Sequence, residues 1–111
     1  MKKKIHLTIL LCSRHDKWIA QCVEHDIAAQ ASSVEGVLYE IARTISAEIV
    51  VDCKHDREPL KGTPPAPDKF RELARNALKI ENPRFPDFTL PSTLATRFEV
   101  QTEQELLLCT T

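Results

Sequence analysis

Three His-Asp dipeptides, His15-Asp16, His25-Asp26 and His55-Asp56, carry the residue types that bind metals and move protons. A metal-dependent hydrolase built on such pairs needs further ligands gathered from several elements. The one version worth testing here is Glu24, His25 and Asp26, where three potential ligands run together at a strand junction. Cys22 and His25 suggest a second chemistry, a thiol nucleophile with an imidazole base. They lie three apart, so a continuing strand would direct their side chains to opposite faces. With 2 glycines in the chain, Gly36 and Gly62, there is no material for an oxyanion-hole loop or a glycine-rich phosphate loop. No GxSxG or HExxH pattern occurs. The expectation is therefore no catalytic residue, no bound cofactor and no metal. Glu24, His25 and Asp26, with the lone tryptophan Trp18, are then candidates for recognising a partner, Trp being enriched at protein interfaces.

Composition points the same way. The chain has 111 residues, 42% hydrophobic and 28% charged, which suits one globular domain with a real core. A net charge of −1 argues against sequence-independent nucleic-acid binding. The basic run Lys2-Lys3-Lys4 reads as a solubilising start before a strand. The apolar run Leu7–Leu11 is too short for a signal peptide, and no segment approaches the roughly 20 apolar residues that span a bilayer. A cytoplasmic protein off the membrane is expected. The four cysteines, Cys12, Cys22, Cys53 and Cys109, contain no CxxC pair. Three sit in apolar runs, where cysteine behaves as a small buried hydrophobe, and a disulfide framework belongs with an export route that this sequence does not display.

The elements that must position these residues follow from periodicity. Ile5–Cys12 alternates, with Ile5, Leu7, Ile9 and Leu11 on one face. Ser13–Asp16 is a turn, and Lys17–Glu24 is a second strand, so the two form an antiparallel hairpin. Leu10, Ile19 and Val23 suggest that the other face is not wholly wet. Ile27–Ala31 is a short third strand. At Ser32-Ser33 the period changes from two to 3.6. Ser32 with Glu35 makes a capping box, while Ser33 would place Gly36 at the third position. A helix then runs over Val34–Cys53 with Val34, Leu38, Ile41 and Ile45 facing the core. Glu48 and Asp52 continue that stripe, which predicts that the helix outruns an eight-residue strand of about 26 Å. A second apolar set, Tyr39, Ala42, Ile49, Val50 and Cys53, requires cover from a second helix or another subunit. Residues 54–67 read as a proline-punctuated linker, Asp68–Lys79 as a shorter helix, and Thr96–Gln101 as a late strand. The tail from Thr102 fits a helical turn or a continuing strand.

Residues 4–53 resemble the HicB family of antitoxins and their stand-alone relatives. Trp18-Ile19-Ala20 matches that family's aromatic-apolar-Ala strand, and Gln30-Ala31-Ser32-Ser33-Val34-Glu35-Gly36-Val37-Leu38 matches its cap and helix start. The chain departs from the pattern at Asp26-Ile27, where the family often has Gly-Cys, at Ala31 for Gly, and at Gly36-Val37 for Glu-Ala. The resemblance implies an α+β, partial RNase H-like fold: a three-stranded antiparallel sheet with one long helix on a face, and a late strand joining it. It implies no catalysis, and Ile5–Cys12 contains no carboxylate of the kind RNase H chemistry needs. Full antitoxins of this family inhibit a small RNase toxin and bind operator DNA through an added C-terminal module. The residues after Pro91 are too few for such a module. The expected function is a non-enzymatic protein-interaction module, forming a homodimer or higher homo-oligomer and partnering a small RNase toxin-like protein. A small RNA-binding domain and a metal-dependent hydrolase using Glu24, His25 and Asp26 are the alternatives.

Overall fold

The computed structural model describes residues 2–86 and 99–110. Its centre is β1 (Lys2–Arg14), which runs several residues beyond the predicted span at both ends. A two-residue turn, His15-Asp16, with His15 in the left-handed region (φ 54°), returns the chain as β2 (Lys17–Cys22), antiparallel to β1. The first His-Asp pair is thus a hairpin tip. β3 (Ala28–Ala31) adds antiparallel to β2. Two further strands, β4 (Leu78–Lys79) and β5 (Glu99–Leu108), complete a five-stranded sheet in the order β3-β2-β1-β5-β4. β5 lies parallel to β1, with Lys2 opposite Glu99 and Leu11 opposite Leu108. The α+β class agrees with expectation, but the sheet is mixed and five-stranded where three antiparallel strands and one late strand are predicted. The tail after Thr102 is strand. Thr96–Phe98, the start of the predicted late strand, lies outside the described residues.

The long helix α1 (Val34–Lys54) begins at Ser33, whose hydroxyl accepts from the Gly36 amide at 3.0 Å. Of the two candidate caps, Ser33 is the one used. Val37, Leu38, Ile41, Ile45 and Ile49 are buried against Ile5, Leu7, Ile9 and Leu11 of β1 and Ala20 and Cys22 of β2. Of the expected second face, Ile49 and Cys53 belong to this same core, and Ala42 is also buried. Tyr39 alone of that set is exposed, with Val50 half-buried. Length explains the difference. Thirteen residues of β1 span about 43 Å and the 21-residue α1 about 32 Å, so the helix does not outrun its strand.

Residues 54–67 are not a spacer. The Asp52 carboxylate accepts from the Leu60 amide at 2.8 Å and from Arg57 Nε at 3.3 Å. This draws Leu60, fully buried at φ 63°, into the core over Ile49 and Cys53. The third His-Asp pair, His55-Asp56, is the terminating turn of α1. Ala66 is also buried, its amide donating to the Val23 carbonyl at 3.0 Å. From there α2 (Asp68–Arg75) crosses the opposite face of the sheet. Phe70, Leu73, Ala74 and Ala77 pack on Leu10, Cys12 and Leu107. The second helix therefore covers the sheet's far face and not α1. It also ends sooner than predicted, since Leu78 and Lys79 pair with Leu108 and Leu107 of β5. Among the described residues no helix is long and apolar enough to cross a membrane.

Cys22 and Cys53 are buried thiols, as expected of small hydrophobes, but Cys12 and Cys109 form a disulfide. Parallel pairing that sets Leu11 beside Leu108 makes these two cysteines the next neighbours, 5.1 Å apart at Cα. They are 97 residues apart in sequence, a relation that local patterning does not reveal. Closing so long a loop stabilises a fold by about 2–4 kcal/mol. Reduction by dithiothreitol, or a Cys12→Ser/Cys109→Ser double variant, is therefore expected to lower the thermal midpoint by roughly 10 °C or more. Circular-dichroism melts of oxidised and reduced protein check this; superimposable curves contradict it.

Candidate functional site

The structure brings Glu24, His25 and Asp26 together at the end of β2 and ties each into the fold. Backbone pairing between β1 and β2 ends with Val23, whose amide donates to the Thr8 carbonyl at 2.9 Å. At the next position a side chain replaces the strand. Glu24 Oε1 accepts from the Thr8 amide at 2.7 Å, and Oε2 from Thr8 Oγ1 at 2.5 Å. The chain then turns, with the Ile27 amide donating to the His25 carbonyl at 2.6 Å and the Cys22 amide to the Ile27 carbonyl at 2.9 Å. Asp26 Oδ1 accepts from Nε2 of Gln21, a buried amide that also donates to the Cys22 carbonyl. The Asp26 amide donates to the Pro64 carbonyl, so the segment after α1 seals this turn. His25 is half-buried, and its Nδ1 is enclosed with no hydrogen-bond partner among the described residues.

Trp18 does not join this group. It opens β2, six residues before Glu24, about 20 Å away along an extended strand. Its indole is half-buried against the α1-side core. The predicted recognition surface is thus two separate places.

Beside the Glu24–Asp26 turn lies a hollow of about 270 Å³, lined by Lys4, Ile5, His6, Glu24, His25, Glu58, Pro59 and Lys61. Sequence reasoning did not single out Thr8, His6 or Lys61. Thr8 and Glu24 are 16 positions apart and meet only through the hairpin register. A polar residue between Leu7 and Ile9 was the one local signal available. Of the lining cations, Lys4 pairs with Glu103 at 3.1 Å and Lys61 with Glu58 at 3.5 Å. His6 Nε2 lies 3.6 Å from Glu105 on the sheet's α2 side.

The thiol of Cys22 faces the core, and burial pushes its pKa from 9.0 up to about 11, with the neighbouring Glu24 charge adding to the rise. At neutral pH it holds its proton and is a poor nucleophile. Among the described residues no three His, Cys, Asp or Glu side chains gather as metal ligands would. Comparison with protein-family models, with curated proteins and with solved structures found no match.

Two predictions follow from this geometry. Glu24→Ala leaves the Thr8 amide and hydroxyl without their acceptor and should cost about 1–3 kcal/mol in urea unfolding, whereas Asp26→Ala leaves Gln21 its carbonyl acceptors and should cost less than half of that. Equal losses contradict the assignment of Glu24 as the clamp. Cys22 makes a pH-dependent contribution. Because the folded thiol holds its proton more tightly than the unfolded one, its stabilisation is full below about pH 9 and is lost as the pH rises towards 11. Wild-type protein should therefore lose on the order of 2–3 kcal/mol relative to Cys22→Ala over that interval. Parallel pH profiles of the two proteins would refute it.

Proposed function

We propose that this chain is a non-enzymatic protein-interaction module of the HicB-like antitoxin type, acting by binding a small RNase toxin-like protein. The observation that carries the reading is the Glu24 clamp: both oxygens of the best candidate catalytic carboxylate accept hydrogen bonds from Thr8. Beside it lies a hollow edged by polar side chains. The order β1-β2-β3-α1, with a later strand joining the sheet, follows what the resemblance implies, although the sheet is mixed and five-stranded with β5 parallel to β1. His25 and Asp26 form the recognition surface in this reading, Glu24 positions them, and Trp18 serves a separate contact at the hairpin end.

The two alternatives draw less support. A hydrolase on Glu24, His25 and Asp26 would have to release Glu24 from Thr8 and Asp26 from Gln21. An RNA-binding surface would need a basic excess, whereas the chain's net charge is −1. Homodimerisation belongs to the proposal too. The outer edge of β3, Ala28-Ala29-Gln30-Ala31, is uncharged and, among the described residues, has no strand paired on it, which leaves it to a second copy. A cytoplasmic setting is rich in glutathione, so it goes with the reduced form of Cys12 and Cys109 in the cell.

The test is co-purification from the native source, followed by titration of any small RNase recovered. The reading expects a stoichiometric complex in which this chain suppresses RNA cleavage and His25→Ala/Asp26→Ala weakens the suppression. An RNase that keeps full activity in the complex, or a purified chain that itself cleaves RNA, overturns it. Light scattering at micromolar concentration checks the dimer, and a monomer mass removes that part.

A further inference from the structure

β1 is flanked unequally. On one side β5 pairs with it from Lys2 to Leu11, and on the other β2 pairs with it only from Ile9 to Arg14. Backbone groups alternate sides along a strand. The Leu11 carbonyl accepts from Cys109 on the β5 side, and the Thr8 carbonyl accepts from Val23 on the β2 side. Lys2, Lys4 and His6 are in phase with Thr8, so their N–H and C=O groups project to the β2 side. Among the described residues, strand pairing there stops at Thr8, where the Glu24 carboxylate takes the last amide. Beyond Glu24 the hollow opens along Lys4, Ile5 and His6, with the Glu58–Lys61 segment as its far wall. Five residues of edge, about 16 Å, thus stand as an incomplete sheet inside a groove.

We propose that this edge, Lys2 to His6, receives an extended acidic segment of a partner polypeptide as an added strand. Charge selects the occupant. A second copy pairing edge to edge would set a stretch whose sequence is Lys2-Lys3-Lys4 against itself, and lysine-rich edges are a means by which sheets prevent self-association. An acidic strand suits so basic a stretch, and the fold contains an example at Lys4. On its other side the stretch Lys2–His6 is paired with Glu99-Val100-Gln101-Thr102-Glu103, a segment with a glutamate at each end, and Lys4 bonds to Glu103. Main-chain bonds would supply affinity and the cross-strand charge pairs selectivity. Glu24 closes the groove at Thr8 and so fixes where the added strand ends. The proposal rests on the preceding reading only in taking a polypeptide as the occupant.

The probe is the fluorescein-labelled peptide acetyl-Glu-Val-Glu-Thr-Glu-Val-amide, titrated with the full chain by fluorescence polarisation against its Lys-for-Glu counterpart. The acidic peptide should bind at least about ten-fold more tightly and should slow hydrogen exchange at the Lys4 and His6 amides. His6→Pro removes one outward N–H at a position where an edge strand tolerates proline, and should weaken binding about ten-fold or more, while His6→Ala should stay within about three-fold. Equal binding of the two peptides, no protection at Lys4 and His6, or indifference to His6→Pro overturns the proposal. So does a dimer that His6→Pro converts to monomer, since a second copy would then hold the edge. Should His6→Pro lose its cooperative melt, peptides N-methylated at one or the other set of alternate residues are titrated with wild-type protein. Strand addition requires that one set abolish binding and the other spare it; equal behaviour refutes it. An RNase partner that binds while the peptide does not would sink the edge proposal and leave the antitoxin reading standing. A peptide that binds where no RNase is found would do the reverse.

Discussion

Burial of β1 on both faces is the constraint on which the rest of the structure depends. Its odd-numbered residues, Ile5, Leu7, Ile9 and Leu11, lie under α1, while Leu10 and Cys12 lie under α2. A strand apolar on both faces must be central and covered twice. That requirement brings β5 alongside β1 and calls for a helix on each side. The upper half of β1 meets it fully. In the lower half, Lys4, His6 and Thr8 replace apolar residues on the α2 side, and α2 does not extend over them. The sheet therefore changes from a buried, doubly covered slab to a half-exposed polar platform along one strand.

The residues with chemical potential are used at the boundary between those halves. Glu24 bridges the point where β2 leaves β1, its carboxylate substituting for a missing backbone acceptor. Asp52 does the equivalent at the end of α1, holding the Leu60 amide so that an otherwise irregular segment re-enters the core. His15-Asp16 and His55-Asp56 occupy turns with one residue each in the left-handed region, where Asn, Asp and His are tolerated better than most. Glu24, Asp26 and Asp52, carboxylates that resemble ligands in one dimension, act here as hydrogen-bond acceptors at chain reversals. Each stands where regular backbone pairing fails, which is also where unsatisfied amides would otherwise be costly.

The sequence by itself determined the elements whose causes are local. Alternation over Ile5–Leu11, the period change at Ser32-Ser33 and the stripe Leu38, Ile41, Ile45 each depend on neighbours within about one or two turns, and all reappear in the fold. The end of β2 was legible to within two residues: the pattern carries the strand to Glu24, whereas it ends at Cys22. What only the tertiary structure decided were relations between distant residues: the parallel register of β5 on β1, the Cys12–Cys109 bridge, the return of Leu60 to the core, and α2 crossing the far face. Thr8 and Glu24 show why. Neither residue alone signals a clamp, because the bond exists only once the hairpin has placed an unpaired amide opposite a carboxylate. Periodicity records which face of an element is apolar. It does not record which other element will cover that face, since several arrangements satisfy the same pattern, and the choice among them is made by long-range register and packing.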